Sequence, residues 1–178
     1  MVRSLKRLWA GGKSGRNPTD RSKQGTKRSL LTEAAGIPVG LAVEGANRHD
    51  MKLVRQTLES IPKSIEKKRR KAKSKAKAKA KARAEQGLCM DKGYDYDEVR
   101  EIVQEFGFTA HIRARGEEAQ ALKREAGFKA RRWVVERTHS WMNRFRRILI
   151  RWEKKGENYL ALLHLTCACI TLKAALLG

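Results

Sequence analysis

The fold prediction rests first on residues 87–95, which read GLCMDKGYD. A short apolar run ends here at the acid Asp91, and a turn-rich segment containing Gly93 follows it. Short apolar runs bounded by turn residues are typical of buried strands. We therefore expect a strand over residues 87–91 with the carboxylate of Asp91 at its carboxyl end.

The residues after this strand predict a helix and then another strand. Val99, Ile102, Val103 and Phe106 recur at i, i+3, i+4 and i+7, and Gly107 stands at the C′ position. Residues 108–113 suit a further strand.

Upstream, two apolar runs over residues 28–32 and 37–43 predict adjacent antiparallel strands joined by residues 33–36. Apolar residues at helical spacing predict a helix that begins after an N-cap signal at residues 47–50 and ends before Pro62. Residues 1–26 are basic, glycine-containing and polar, so we expect an exposed loop or arm there.

Downstream, a helix is predicted over residues 130–152, where Val135, Met142, Phe145 and Leu149 form one apolar stripe. A final apolar helix is predicted over residues 159–177. Because Lys173 and several polar residues interrupt that helix, we do not expect it to span a membrane.

Other side chains of these two helices are predicted to pack inside the protein. We expect the tryptophans 133, 141 and 152 to serve in the core or in helix packing rather than to stack on bases. Cys167 and Cys169 should pack in the final helix with their sulfurs on different faces. Three cysteines are too few and odd in number for a secreted disulfide scaffold, so we expect reduced thiols in a cytoplasmic protein.

The chain carries 41 Lys and Arg against 19 Asp and Glu, a formal charge of +22 over 178 residues. Such a balance predicts a polyanionic partner. Half of the net charge lies in residues 63–83, which hold twelve basic residues and one acid. Because alternating lysines leave no apolar stripe to pack, we expect this tract to be a solvated, largely disordered insertion when free.

Two acids stand where metal chemistry could occur, Asp91 and Glu136. At helical spacing, Arg132, Glu136, His139 and Asn143 share one polar face. A carboxylate among arginines suits a Mg²⁺ ion held near a DNA phosphate, although a salt-bridged or solvent-exposed carboxylate is the commoner outcome for either acid.

Three ordered motifs carry a family resemblance: GIP (36–38) with GANRHD (45–50), then DKGYD (91–95), then RWVVER (132–137) with WMNRFRR (141–147). Together they resemble bacterial insertion-sequence transposases of the Asp-Asp-Glu (DDE) type, in the insertion-sequence four and five groups. The resemblance covers the chain from about residue 11 to the C-terminus.

The resemblance implies an α/β, RNase-H-like fold: a mixed sheet flanked by helices, with its first strand missing or incomplete in this chain. Residues 1–62 would hold the N-terminal arm, hairpin and first helix of the catalytic domain, residues 63–86 the Lys/Ala-rich insertion, and residues 87–178 the rest. Asp91 would be the second catalytic acid and Glu136 the third, both as ligands of Mg²⁺ or Mn²⁺.

The resemblance also implies DNA as the partner, both transposon ends and target, and leaves a homo-oligomer open. The helix that carries Glu136 would contribute Arg132 and Asn143 to the family signature. The predicted DNA contacts are Arg132, Arg137, Asn143, Arg144, Arg146, Arg147, Lys71, Lys73, Lys75, Lys77, Lys79 and Lys81.

One departure concerns the first catalytic aspartate of the family. It would lie about ten residues before a Gly-Gly like Gly11-Gly12, and residues 1–19 contain no acid. We therefore expect an N-terminally truncated or decayed reading frame that binds DNA with impaired or absent strand transfer. Two other hypotheses stay open: a non-catalytic remnant that inhibits transposition, and a general basic DNA- or RNA-binding protein built around the lysine tract.

Overall fold

A computed structural model describes residues 2–6, 12–18, 21–65, 86–112 and 132–177. Within these residues, the larger sheet contains four strands, and the smaller sheet contains two. The strands are β1 (Val2–Lys6), β2 (Gly15–Arg16), β3 (Gln24–Thr32), β4 (Pro38–Gly45), β5 (Gly87–Met90) and β6 (Thr109–Ile112). The α-helices are α1 (Lys52–Glu59), α2 (Asp97–Glu105), α3 (Arg132–Asn143) and α4 (Gly156–Leu177).

The larger sheet is antiparallel and centres on β3. Strand β1 pairs with one edge of β3, and β4 and β2 pair with the other. The predicted hairpin is confirmed, with Leu30 opposite Leu41. The predicted arm over residues 1–26 is wrong, because β1, β2 and the start of β3 lie within it.

Helices cover both faces of this sheet. On one face, Thr57 of α1 donates a 2.7 Å hydrogen bond to Ser29. Gly40 allows this close approach, since a Cβ there would lie 2.7 Å from the carbonyl oxygen of Thr57. On the other face, Leu30 and Val43 pack with residues of α3 and α4 in the main core.

The smaller sheet pairs β5 and β6 in parallel, and α2 connects them. Both strands and α2 are close to their predicted bounds, and Gly107, at the predicted C′ position, has a positive φ of 73°. Strand β5 is half-buried rather than buried, because Leu88 and Met90 face a second core with α1 and α2 while Cys89 is exposed. Antiparallel and parallel pairing with helices makes this a mixed α/β protein.

The predicted helix over residues 130–152 is wrong in its second half. Helix α3 ends at Asn143, and a 3₁₀ turn follows at Arg146–Ile148. This turn buries Ile148, and Tyr159 donates a 3.1 Å hydrogen bond to its carbonyl. A straight helix would carry Ile148 away from the sheet.

Just after the 3₁₀ turn, the guanidinium of Arg151 is fully buried. It donates to the carbonyls of Gly12 at 2.7 Å and Lys13 at 2.9 Å, and to the Thr26 hydroxyl at 3.0 Å. These bonds connect the chain before α4 to the segment between β1 and β3. Arg151 therefore links the two ends of the described chain.

The start of α1 differs from the prediction in one detail. The helix begins after Met51, with no side-chain hydrogen bond at its N-cap. Asp50, which the sequence placed in the capping signal, instead accepts a 2.7 Å bond from the ammonium of Lys27. The lysine tract lies almost wholly outside the described residues, so its predicted disorder stays a prediction.

Candidate functional site

Asp91 lies where the sequence predicted, directly after β5. Its backbone is extended, and its Oδ1 accepts a 2.8 Å bond from the backbone N–H of Lys92 at the start of the 3₁₀ turn Lys92–Tyr94. The side chain of Asp91 is half-buried. The strand end and the turn thus hold a carboxylate with limited exposure to solvent.

The turn after Asp91 is fixed by a second acid. Asp95 accepts bonds from Lys92 and, at 2.5 Å, from Arg100 of α2. These two hydrogen bonds lower the pKa of Asp95 below its usual value, so the carboxylate stays charged. The loop behind Asp91 is therefore tied to α2.

Tyr94 lies in the same turn with its ring buried. Burial raises the pKa of its hydroxyl, and the negative charges of Asp50 and Asp91 raise that pKa further. Beside this turn, the ring of Tyr96 meets the ring of His49 edge-on at 5.7 Å. The segment before α1 therefore contacts the residues that follow the turn.

Glu136 lies on an exposed side of α3. The opposite side of this helix packs through Val134 and Met142, which are buried. Next to Glu136, the hydroxyl of Thr138 donates a 2.7 Å bond to the carbonyl of Gly36 in the β3–β4 turn. The turn thus fixes the helix at the level of the acid.

Arg137 adds a second hydrogen bond between α3 and the β3–β4 turn. Its Nη2 donates a 2.7 Å bond to the carbonyl of Ala35, and its guanidinium lies 4.5 Å from the ring centroid of Trp133 and 4.8 Å from that of Trp141. Stacking between two indoles holds the cation against the protein. Direct DNA contact by Arg137 stays a prediction.

The tryptophans only partly match their predicted role. Trp141 is half-buried and packs against the main core, as expected. Trp133 and Trp152 are 52% and 51% exposed, so neither is a core residue. Trp133 also stands three residues before Glu136, with Arg137 beside its ring.

The predicted polar face of α3 is not a single exposed face. His139 is buried, at 2% exposure, and the side-chain Oδ1 of Asn143 accepts a 3.1 Å bond from the buried guanidinium of Arg28. Of Arg132, only its place as the first residue of α3 is described. Glu136 is therefore exposed and His139 is buried, although helical spacing placed both on one face.

The arginines after α3 are exposed, as a phosphate contact requires. Arg144, Arg146 and Arg147 all lie at the surface. Arg147 donates a 3.0 Å bond to Glu153 while its own side chain stays 69% exposed. The predicted lysine contacts, residues 71–81, lie outside the described residues.

Sequence patterns missed the two buried arginines, although a signal existed for one of them. Arg28 alternates with Thr26 and Leu30 on β3, and this period of two places its side chain on the same inward face. No local pattern indicates the burial of Arg151, because the Lys13 carbonyl and the Thr26 hydroxyl that it binds lie more than 120 residues away in the sequence.

The acids have the right chemistry for a divalent cation, but they form no complete cluster. Carboxylate oxygens are the ligands that Mg²⁺ prefers. Within the described ranges, no group of three or more His, Cys, Asp or Glu side chains is placed to hold a metal ion. Asp91 and Glu136 could thus supply only part of a coordination shell.

Comparisons with known proteins assign the chain to a family. Residues 88–173 match the family model "Transposase DDE domain", a range that includes both Asp91 and Glu136. A transposase assigned to insertion sequence element IS402 of Burkholderia cepacia is 32% identical over 164 residues, which are 92% of this chain and 71% of that protein. No solved structure gives a significant match to the chain.

The match to this relative extends over nearly the whole chain, and the family model runs from within β5 to within α4. DNA cleavage and strand transfer are the activities of this family, which generally uses a divalent metal. The chain therefore belongs to the DDE transposases of bacterial insertion sequences.

Proposed function

We propose that Asp91 and Glu136 are the second and third acids of the transposase triad. The observation that carries the proposal is the placement of Glu136, exposed on a helix that hydrogen bonds fix to the β3–β4 turn. Asp91 supports it, because β5 and the following turn hold its carboxylate at a strand end. At both Asp91 and Glu136 the carboxylate is held rigidly, and it is not enclosed in the core.

The arrangement favours the RNase-H-like fold implied by the resemblance. Three antiparallel strands, β1, β3 and β4, are followed in the chain by the parallel pair β5 and β6. Strand β1 begins beside the end of β3 that leads into the turn bound by α3, since Val2 pairs with Ser29.

Asp91 and Glu136 would hold Mg²⁺ or Mn²⁺, with water and DNA phosphates completing the shell. When bound, the cation would offset charge on the phosphate undergoing transfer and activate the attacking water or 3′-hydroxyl. The protein's own contribution is positioning: Thr138 and Arg137 fix the helix that carries Glu136, and Asp95 fixes the turn behind Asp91.

DNA would lie along the exposed side of α3 and the segment after it. Arg144, Arg146 and Arg147 would contact phosphates there, and the exposed indole of Trp133 offers a stacking surface beside Glu136. Arg132, Arg137 and the lysine tract are further proposed contacts. We place the working protein in the bacterial cytoplasm with its DNA substrate.

The 178-residue chain would bind transposon-end DNA and transfer strands weakly or not at all. The five residues of β1 include no acid, and Asp91 and Glu136 are the two acids that we assign. The test is strand cleavage of labelled transposon-end DNA with Mg²⁺, alongside a gel-shift measurement of binding. We expect binding with little cleavage, and Asp91→Asn or Glu136→Gln should remove any residual cleavage while Glu101→Gln on α2 should not.

Robust cleavage by the unchanged chain would overturn the proposed loss of activity. If residual cleavage survives in both Asp91→Asn and Glu136→Gln, the two assigned roles are wrong. A metal-binding readout is independent of cleavage: Fe²⁺ with ascorbate and peroxide should cut the polypeptide near residues 91 and 136. Mg²⁺ should suppress those cuts, and the double variant should not show them.

The missing acid on β1 also favours a second function, inhibition of an intact relative. A chain that binds transposon ends without cleaving them would compete for those ends. Co-expression with a complete transposase of the same element should lower its transposition frequency. An unchanged frequency at comparable protein levels would count against this function.

A further inference from the structure

Helix α4 carries apolar side chains on most of its circumference, yet only one side of it is covered. Tyr159, Leu163, Thr166 and Ile170 are buried against the sheet. A helix that is apolar on all sides is normally enclosed on all sides. The side away from the sheet therefore lacks a partner within the described part of the chain.

The uncovered side has a defined composition, and we call it the open stripe. Leu165, Leu172 and Leu176 are 62%, 60% and 74% exposed. The open stripe consists of Ala161, Leu165, Ala168, Cys169, Leu172 and Leu176, all exposed and all uncharged. At about 100° per residue, these six residues fall within about 100° of the helix circumference.

The order of residues in the open stripe is symmetric about the peptide bond between Ala168 and Cys169. Counting outward from this bond, Leu165 mirrors Leu172 and Ala161 mirrors Leu176. In an antiparallel pair related by a two-fold axis at this bond, each leucine 165 faces leucine 172 of the other copy. Each alanine 161 likewise faces a leucine 176, so small side chains meet large ones.

Charge also favours a second copy as the occupant. A chain of net charge +22 repels its own copies over most of its surface. The open stripe contains no ionisable side chain other than the thiol of Cys169, so two copies can approach there without burying a lysine or arginine. A two-fold contact of this kind uses the same patch on both subunits.

A lipid bilayer is the competing occupant. By length and composition, α4 could cross a membrane. In this fold, however, Leu163 and Tyr159 form part of the main core with Leu30 of β3. Crossing a bilayer would remove those side chains from the core and leave the sheet, with its buried Arg28, uncovered.

We propose that the open stripe is a two-fold interface through which two copies of this chain pair, with their α4 helices antiparallel and crossing at Ala168–Cys169. This pairing is separate from the proposed catalytic roles and concerns how two DNA-binding units are joined. Its failure would leave the roles of Asp91 and Glu136 untouched.

The first test is the mass of the chain by sedimentation equilibrium in buffer with enough salt to screen its charge. We expect a concentration-dependent mass approaching twice that of one chain. Leu172→Glu should weaken the dimer at least about tenfold, because it buries a carboxylate opposite a leucine. Leu177→Glu is the matched control, since Leu177 is 76% exposed but lies outside the open stripe.

A wild-type chain that stays monomeric throughout the measurable range would overturn the proposal. So would equal weakening by Leu172→Glu and Leu177→Glu, which would indicate unspecific association. Far-ultraviolet circular dichroism checks that both variants are folded. If both variants fail to fold, crosslinking of the folded chain tests whether two copies pair through the open stripe.

Crosslinking tests the geometry directly. With Cys89 and Cys167 replaced by alanine, Cys169 is the single thiol, and a short bis-maleimide should join two copies at high yield. A matched chain with its single thiol at position 173 instead, from Lys173→Cys with Cys169→Ala, should crosslink much less. Equal yields would contradict the antiparallel crossing, and flotation of the chain with phosphatidylcholine vesicles would assign the stripe to a bilayer.

Discussion

The buried guanidinium of Arg28 donates from Nη2 to the Oδ1 of Asn143, over 3.1 Å and 115 positions of sequence. This bond joins the central strand β3 to the last residue of α3. It also gives Asn143, which the sequence assigned to DNA, a partner inside the protein. The carboxyl end of the helix that carries Glu136 is thus held to the sheet.

Asn143→Ala separates the two roles of this residue. Because a buried cation loses an acceptor, we expect the free energy of unfolding to fall by about 1.5–3 kcal/mol. DNA affinity, measured well below the unfolding transition, should change little. Arg144→Ala is the control and should weaken DNA binding without loss of stability. Unchanged stability with weaker DNA binding would instead place Asn143 at the DNA.

Gly36 offers a test of how α3 is anchored. Its φ is +90°, and a Cβ there would lie 3.1 Å from both Thr138 Oγ1 and Arg137 Nη2. Gly36→Ala should therefore lower the free energy of unfolding by at least about 1–2 kcal/mol, from backbone strain alone. Urea denaturation measures this loss, and Gly93→Ala, which meets nothing within 4 Å, is the control. Equal effects of both changes would refute the anchor.

Asp95 should make stability depend on pH. Hydrogen bonds from Lys92 and Arg100 lower the pKa of its carboxyl group in the folded protein. The group therefore stabilises the fold above its unfolded pKa of about 3.9, and this contribution disappears as pH falls through the lower folded value. The stability difference between the chain and Asp95→Asn should shrink in acid. A difference that is constant from neutral to acid pH would contradict the assignment.

Cys167 and Cys169 should differ in reactivity. Burial raises the pKa of the Cys167 thiol to about 11, an effect that the positive charge of Arg28 only partly offsets. At pH 8 almost all of this thiol is protonated, and the thiolate is the nucleophile. Iodoacetamide should label exposed Cys169 well before Cys167, as peptide mass spectrometry can follow. Faster labelling of Cys167 in the folded chain would show that it is not buried.

The lysine tract should control unspecific affinity rather than specificity. Removing residues 66–83 deletes eleven basic residues and one acid. The slope of log affinity against log salt should become shallower by about 0.9 for each phosphate that the tract neutralises. Titrations of duplex DNA over a salt range measure that slope, with replacement by a neutral Gly/Ser segment of equal length as the control. An unchanged slope would mean that the tract does not bind phosphate.

The elements predicted well from sequence are those whose signals are local. The β3–β4 hairpin, β5 with Asp91, α2 with Gly107 and the final helix depend on short apolar periods and turn residues. The predicted α3 failed after Asn143 because Ile148 and Arg151 find their places through Tyr159 and through carbonyls far away in the chain. No period of 3.6 residues encodes such partners.

The candidate site shows the same difference between features encoded locally and features that depend on long-range contacts. Asp91 and Glu136 stand on the elements that the sequence assigned to them. His139 shares a helix with Glu136 and yet is buried, because the packing of α3 on the sheet decides which side is covered. That packing includes hydrogen bonds to Gly36 and from Arg28, which belong to a turn and a strand distant in sequence.

The network around Arg151 also has a consequence for the order of folding. Its guanidinium collects carbonyls from Gly12 and Lys13, which lie 139 and 138 positions earlier in the chain. Such long-range contacts form late, after their loops have closed. During synthesis, Gly12 and Lys13 are made well over 100 residues before Arg151, so these bonds can form only after most of the described chain is present. A nascent chain halted before Arg151 would lack these bonds and would be readily degraded. The lysine tract lies between Lys13 and Arg151, and its length could vary at small entropic cost.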